Sequence, residues 1–182
     1  SNMVDWKDRS TCILFGDGAG AVILRAEEGA PVYMAAHSDG VKGPALTGLS
    51  RHRKDWEKEL EPGAVKESYI HMDGQGVFKF AVRKVPEIIE EVLEEAGNSL
   101  DDIDYFVLHQ ANRRIIEAVA KRLKTDISKF SMNLEEYANT SAATVPILID
   151  EMNRKRMFEK GQKIMMAGFG AGLTWAASLF EW

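Results

Sequence analysis

The chain has 182 residues, enough for one sizeable core or two small halves. Its apolar fraction of 45% and charged fraction of 28% are ordinary for a globular protein, and a net charge of −5 argues against a nucleic-acid-binding face, which needs a dominant basic patch. No apolar run is long enough to span a bilayer and no signal-peptide pattern is present; the single cysteine, Cys12, excludes an internal disulfide framework and suits a reducing compartment.

Ser1-Asn2 ahead of Met3 reads as a tag-cleavage remnant and is left out of the fold reasoning. Thr11 to Phe15 (TCILF) is β-branched and apolar and predicts a strand; Gly16 to Gly20 (GDGAG) is a turn signal, and Ala21 to Leu24 predicts a second strand, closing a hairpin. Gly16, Gly18 and Ala21 also satisfy the G-x-G-x-x-G/A dinucleotide pattern. That motif needs a helix after the glycines, and Val22-Ile23-Leu24-Arg25 is strand-like, so tight backbone packing is the favoured reason for the glycines. Gly40 to Gly63 has no period and predicts a long exposed loop. Its basic cluster Arg51-His52-Arg53-Lys54 reads either as solvated charge or as a contact for an anionic group.

Ile70 to Gly76 ends in a turn, and a long helical pattern begins at Phe78, with Val82, Val85, Ile89, Val92, Leu93 and Ala96 on one face. Pro86 is expected to kink or restart this helix, Gly97 to stop it, and Ser99 to Asp102 to cap one short turn. His71 reads as structural. Tyr105 to Leu108 predicts a buried strand, Arg113 to Lys124 a helix with Ile116, Val119 and Leu123 inward, and Phe130 to Asn133 a connector. A helix follows from about Val145 to Met157, where Pro146 is tolerable as an early helical residue. Then come a strand Lys163 to Met166, a tight loop Gly168 to Gly172 and a last strand Leu173 to Trp182. The order indicates a layered α/β domain.

His109, in Leu108-His109-Gln110-Ala111-Asn112, stands at a strand-to-helix junction, where α/β proteins place their chemistry. A core histidine satisfied by backbone is the plainer reading. Asn139, in Asn139-Thr140-Ser141-Ala142-Ala143-Thr144, reads either as a helix cap or as an amide donor. A neutral imidazole and an amide converging on one carbonyl oxygen make an oxyanion hole; spacing permits that convergence without requiring it. No metal site is expected, because the histidines at 37, 52, 71 and 109 lack helical pair spacing and Cys12 has no partner. No G-x-S-x-G elbow supports a serine hydrolase.

Taken together, FGDGAGA (Phe15 to Ala21), LHQANRRI (Leu108 to Ile115), NTSAAT (Asn139 to Thr144) and GFGAGLTW (Gly168 to Trp175) resemble the β-ketoacyl-acyl-carrier-protein synthase III family, in the family's order, from about Asp5 to Trp182. The resemblance implies a thiolase-like fold. Residues 3–36 would be the end of the first half, its last hairpin, and residues 37–182 the C-terminal domain, a layered mixed sheet with helices. It implies condensation of an acyl-CoA, with acetyl-CoA the expected primer, with malonyl-acyl carrier protein, and a cytoplasmic homodimer. No cofactor is implied; the CoA thioester and the carrier's phosphopantetheine are substrates. His109 and Asn139 take the histidine and asparagine roles of a Cys-His-Asn triad. Asn112, Gly74 and Phe78 match positions along the pantetheine arm, and Phe169 matches an aromatic beside the active site. Arg114 and Lys121 lie on the helix where the acidic carrier protein docks. Ala138 and Ala171 stand where many members have glycine. The family's nucleophilic cysteine lies upstream of FGDGAGA, and Cys12 matches a structural position, so the chain resembles the C-terminal portion of a synthase and is expected to lack acyl transfer by itself. Two other readings stay open: a non-catalytic module binding CoA or acyl carrier, and a related synthase of natural-product biosynthesis.

Overall fold

In the computed structural model, which describes residues 3–26, 28–29, 31–48 and 69–182, Tyr105–Leu108 forms strand β4, and its alternation shows how the layers stack. Phe106 and Leu108 are buried in a large apolar core with Val85, Ile88, Ile89 and Val92 of helix α2 (Gly74–Ala96) and Ile116 and Val119 of helix α3 (Arg113–Leu123). Val107 joins a separate core on the opposite face, with Leu148 and Met152 of helix α5 (Thr144–Arg154) and Ile164. Helices therefore cover both faces of the sheet, as a period-two run of large apolar residues requires.

The sheet has four strands in the order β1 (Tyr33–Ser38), β6 (Thr174–Glu181), β5 (Lys163–Gly170), β4. β4 runs parallel to β5, and the other neighbours are antiparallel. A short two-stranded ladder joins β2 (Leu46–Thr47) to β3 (His71–Met72).

The local signals near the helices hold. Gly97 ends α2 with φ +65, a left-handed conformation that glycine adopts without steric cost. Asp102 accepts from both the backbone N–H (2.8 Å) and the hydroxyl (2.7 Å) of Ser99, capping the next turn. α2 starts at Gly74 rather than Phe78, because Asp73 caps it by accepting from the Gly76 N–H at 3.0 Å. Pro86 causes no break: it is buried inside a continuous helix whose flanking Val85, Ile88 and Ile89 are packed on the sheet. That packing outweighs the one lost donor.

The first hairpin is not formed. A strand exists only through its ladder, and among the described residues no strand lies beside 11–24. Thr11 and Cys12 instead end a short helix, α1 (Arg9–Cys12), capped by Asp8, whose carboxylate accepts from the Ser10 N–H at 2.9 Å and the Thr11 hydroxyl at 2.8 Å. Residues 16–26 carry no regular structure, and Val22, Ile23 and Leu24 are exposed. β1 is a strand with no counterpart in the sequence expectations. It pairs with β6 over its whole length, so the expected boundary between residues 36 and 37 falls inside a strand of the main sheet. The expected loop from Gly40 contains a 3₁₀ turn (Gly40–Ala45) and β2, and its basic cluster at 51–54 lies outside the described residues. At the C-terminal end, β5 and β6 meet in a tight turn at 171–173, so Gly168, Phe169 and Gly170 belong to β5 rather than to a loop.

Candidate active site

His109 follows β4 directly, and its backbone N–H donates to the Ala167 carbonyl at 2.8 Å, carrying the β4–β5 ladder one residue further. By the strand's alternation it shares the face of Val107, the face covered by α5. Its imidazole accordingly meets the first residue of α5: Nδ1 lies 2.6 Å from Thr144 Oγ1. The Phe169 ring packs edge-on at 5.4 Å between centroids, 71° between planes. Burial disfavours the charged ring and lowers its pKa from 6.5 to about 4, so His109 is neutral at pH 7.

The next residue locks this corner. Gln110 is fully buried; its amide nitrogen donates to the Leu108 carbonyl (2.8 Å) and the Ser131 carbonyl (3.4 Å), while its oxygen accepts from the Asn133 N–H (3.2 Å). Every polar end of the side chain is used, as burial demands.

Asn139 is held differently. Its backbone N–H donates to the Leu14 carbonyl at 3.0 Å and its carbonyl accepts from the Gly16 N–H at 2.9 Å, a parallel bridge to the segment around Phe15. Gly16 is required there, since a Cβ would overlap the Tyr137 carbonyl oxygen. The dinucleotide pattern thus has the expected explanation in close backbone packing, and no helix follows its glycines. In its side chain, Asn139 Oδ1 accepts from the Ser141 N–H at 2.9 Å, which assigns the outer end of the amide to the NH2 group. Among the described residues neither Asn139 Nδ2 nor His109 Nε2 makes a hydrogen bond.

His109, Asn139, Phe169, Thr144 and Trp175 all line one cavity of about 810 Å³. A neutral imidazole and an amide on the wall of one cavity, with Phe169 and Trp175 as apolar neighbours, suit an anionic oxygen better than a cation or a metal. Among the described residues no three of the side chains that bind metals come together, and no helix is long and apolar enough to cross a membrane.

Comparison with known proteins identifies the family. Residues 93–182 match the family described as 3-oxoacyl-[acyl-carrier-protein] synthase III C terminal, and residues 1–40 match 3-oxoacyl-[acyl-carrier-protein] synthase III. The chain belongs to the synthase III family. The β-ketoacyl-[acyl-carrier-protein] synthase III of Clostridium tetani is 46% identical over 190 residues, covering 100% of this chain and 57% of that protein. Among solved structures, the synthase III of Aquifex aeolicus VF5 superposes with a TM-score of 0.86 at 37% identity, over 100% of this chain and 54% of that one. The priming β-ketosynthase of the R1128 polyketide pathway superposes with a TM-score of 0.79 at 32% identity, over 98% and 53%. The fold is accordingly thiolase-like. The chain spans a little over half the length of these relatives.

Within this chain the other motif residues fall in different places. Asn112 caps α3, its Oδ1 accepting from the Arg114 N–H at 2.9 Å. Gly74 opens α2 and is exposed, and Phe78 is half-buried with the Arg114 guanidinium 5.8 Å above its ring. None of these three lines the cavity. Arg114 and Lys121 are exposed on α3. Cys12 is buried in α1 and does not line the cavity. Three residues that sequence reasoning passed over are Thr144, Gln110 and Gly16 in its role of seating Asn139. All three sit inside the quoted motifs, but the partners that give them these roles are distant in sequence: His109 for Thr144, Ser131 and Asn133 for Gln110, and Tyr137 and Asn139 for Gly16.

Proposed function

We propose that this chain is part of a β-ketoacyl-acyl-carrier-protein synthase III. The enzyme would join an acyl-CoA, acetyl-CoA being the expected primer, to malonyl-acyl carrier protein in the first condensation of fatty-acid synthesis. His109 and Asn139 hold the malonyl thioester carbonyl. As the bond to the carboxylate breaks and carbon dioxide leaves, its electron pair flows onto that carbonyl oxygen as an enolate, which both donors stabilise more strongly than the ground state. The enolate carbon then attacks the acyl thioester carried on a cysteine elsewhere in the full-length enzyme; the new carbon–carbon bond forms as the carbon–sulfur bond breaks, and the cysteine leaves as thiolate. The observation behind this reading is a neutral, half-buried imidazole and an amide whose oxygen is already occupied, both lining one cavity.

Phe169 closes the wall behind His109. Arg114 and Lys121, exposed on the helix that follows HQAN, meet the acidic carrier protein. No cofactor takes part; the CoA thioester and the carrier's phosphopantetheine are substrates. The intact enzyme works in the cytoplasm as a homodimer, and these 182 residues alone carry out no condensation. A second reading, the priming synthase of a polyketide pathway, draws on the structural likeness to the R1128 enzyme and differs only in the acyl primer and carrier.

Malonyl-thioester decarboxylation by the full-length enzyme tests the assignment. His109→Ala and Asn139→Ala are each expected to lower kcat about 10²–10³-fold, the usual effect of removing one oxyanion donor. Near-native rates in both variants would refute the roles; no turnover even in the unmodified full-length protein would favour a non-catalytic binding module. In the same assay, Arg114→Glu with Lys121→Glu is expected to raise KM for malonyl-acyl carrier protein and leave malonyl-CoA turnover unchanged. Equal loss on both substrates would remove the docking assignment.

A further inference from the structure

A neutral imidazole has one N–H, and only the tautomer protonated on Nε2 offers a donor once Nδ1 is engaged. Which tautomer His109 adopts is therefore decided by the single proton of the Thr144 hydroxyl. Two acceptors compete for it: His109 Nδ1 at 2.6 Å and the Ser141 carbonyl oxygen at 3.0 Å. The Ser141 carbonyl already accepts the Thr144 backbone N–H, so it has a partner without the hydroxyl. Nδ1 has only the hydroxyl. Thr144 is 3% exposed, so water does not replace it freely. The shorter contact is the one to His109, and the carbonyl that competes with it is already occupied.

We propose that Thr144 is a positioning residue whose hydroxyl donates to His109 Nδ1 and thereby fixes the imidazole as the Nε2–H tautomer. The deduction deepens the enolate-donor reading given above and rests on it for its catalytic consequence. It also gives one structural unit command of both donors. The Ser141 N–H occupies Asn139 Oδ1 and leaves the amide NH2 outward; the Ser141 carbonyl takes the Thr144 N–H and leaves the hydroxyl free for His109. The turn Ser141–Ala143, running into Thr144, thus sets the proton at both ends of the oxyanion site. If the hydroxyl turned to Ser141 instead, Nδ1 would carry the proton and Nε2 would present a lone pair, repelling an enolate oxygen.

The test reads the tautomer apart from the activity. Long-range ¹H–¹⁵N correlation on histidine-labelled protein near pH 7.5 is expected to show His109 protonated on Nε2. Thr144→Val, which keeps shape and removes the hydroxyl, is expected to move His109 to a mixture or to the Nδ1–H form, and Thr144→Ser to restore Nε2–H. In the full-length enzyme, Thr144→Val is expected to lower the kcat of malonyl decarboxylation about tenfold with KM little changed, and Thr144→Ser to recover most of it. An Nδ1–H signal in the unmodified protein, or an unchanged tautomer in Thr144→Val, overturns the role of Thr144. A tautomer that follows Thr144 while decarboxylation stays native upholds that role and places the failure on the donor reading instead.

Discussion

His109 and Asn139 face one cavity but are anchored by opposite means. His109 extends the central β4–β5 ladder, with Leu108 at 3% exposure before it and a fully satisfied, buried Gln110 after it. Asn139 hangs on two backbone hydrogen bonds to the 14–16 segment, which continues into residues without regular structure. It is also preceded by Ala138 at φ +55, ψ −160, and Ser141, two residues on, has φ +57. His109 is placed by the core itself. Asn139 is placed by the approach of a second segment and by backbone strain. The lesson is that the site's weak side is Asn139, and that disturbance there should reach the chemistry without first melting the sheet.

The strongest way to break this asymmetry is at Gly16. A methyl group there would collide with the Tyr137 backbone carbonyl, which cannot swing aside as a flexible side-chain tip would. Gly16→Ala is expected to push the 14–16 segment off Asn139, destabilise the protein by about 1–3 kcal/mol, and cost at least about tenfold in decarboxylation. Amide exchange would locate the damage: faster at Asn139 and Gly16, unchanged at His109. Equal acceleration at all three would show that the two sides are not independent.

A smaller effect sharpens the other side. His109 titrates near 6.5 when unfolded but only near 4 when folded, because burial disfavours the imidazolium. Between those values the unfolded chain holds the extra proton, so stability is fully present above about 6.5 and falls as pH drops toward 4. Denaturant titrations at several pH values should show this slope in the unmodified protein and lose it in His109→Asn. The Asp8, Asp39 and Glu87 carboxyls, held low chiefly by side-chain hydrogen bonds, act at lower pH. A slope that survives in His109→Asn would mean that the ring is not the buried group described.

How much of this was legible in the sequence follows the same division. The Tyr105–Leu108 strand, the Ser99 cap, the Gly97 stop and the strand-to-helix junction at HQAN are local, fixed by residues within a few positions of one another, and they read correctly. The 11–24 hairpin failed because β-branched residues mark strand propensity, while a strand needs a ladder partner elsewhere in the chain. β1 was missed for the converse reason: Tyr33–Ser38 is a strand because β6, far downstream, supplies its ladder. Asn139 could be named as a candidate, yet nothing in NTSAAT says that Thr144 meets His109 across 35 residues.

The smallest expected effect bears directly on the strained side. Ala138 sits at φ +55, ψ −160, a region occupied almost solely by glycine because a Cβ crowds the flanking carbonyl groups there. Such a residue stores on the order of 1–3 kcal/mol. Replacing it with glycine relieves that strain but adds freedom to the unfolded chain, which offsets about 0.5–1 kcal/mol of the gain. Ala138→Gly is therefore expected to stabilise the protein by roughly 1 kcal/mol, measurable as a higher denaturation midpoint with an unchanged slope. Decarboxylation should stay near native, because Asn139 keeps its bridge to Leu14 and Gly16. A net destabilisation would mean that the methyl group's packing, not its strain, dominates, and that the Asn139 side is held more firmly than its backbone implies.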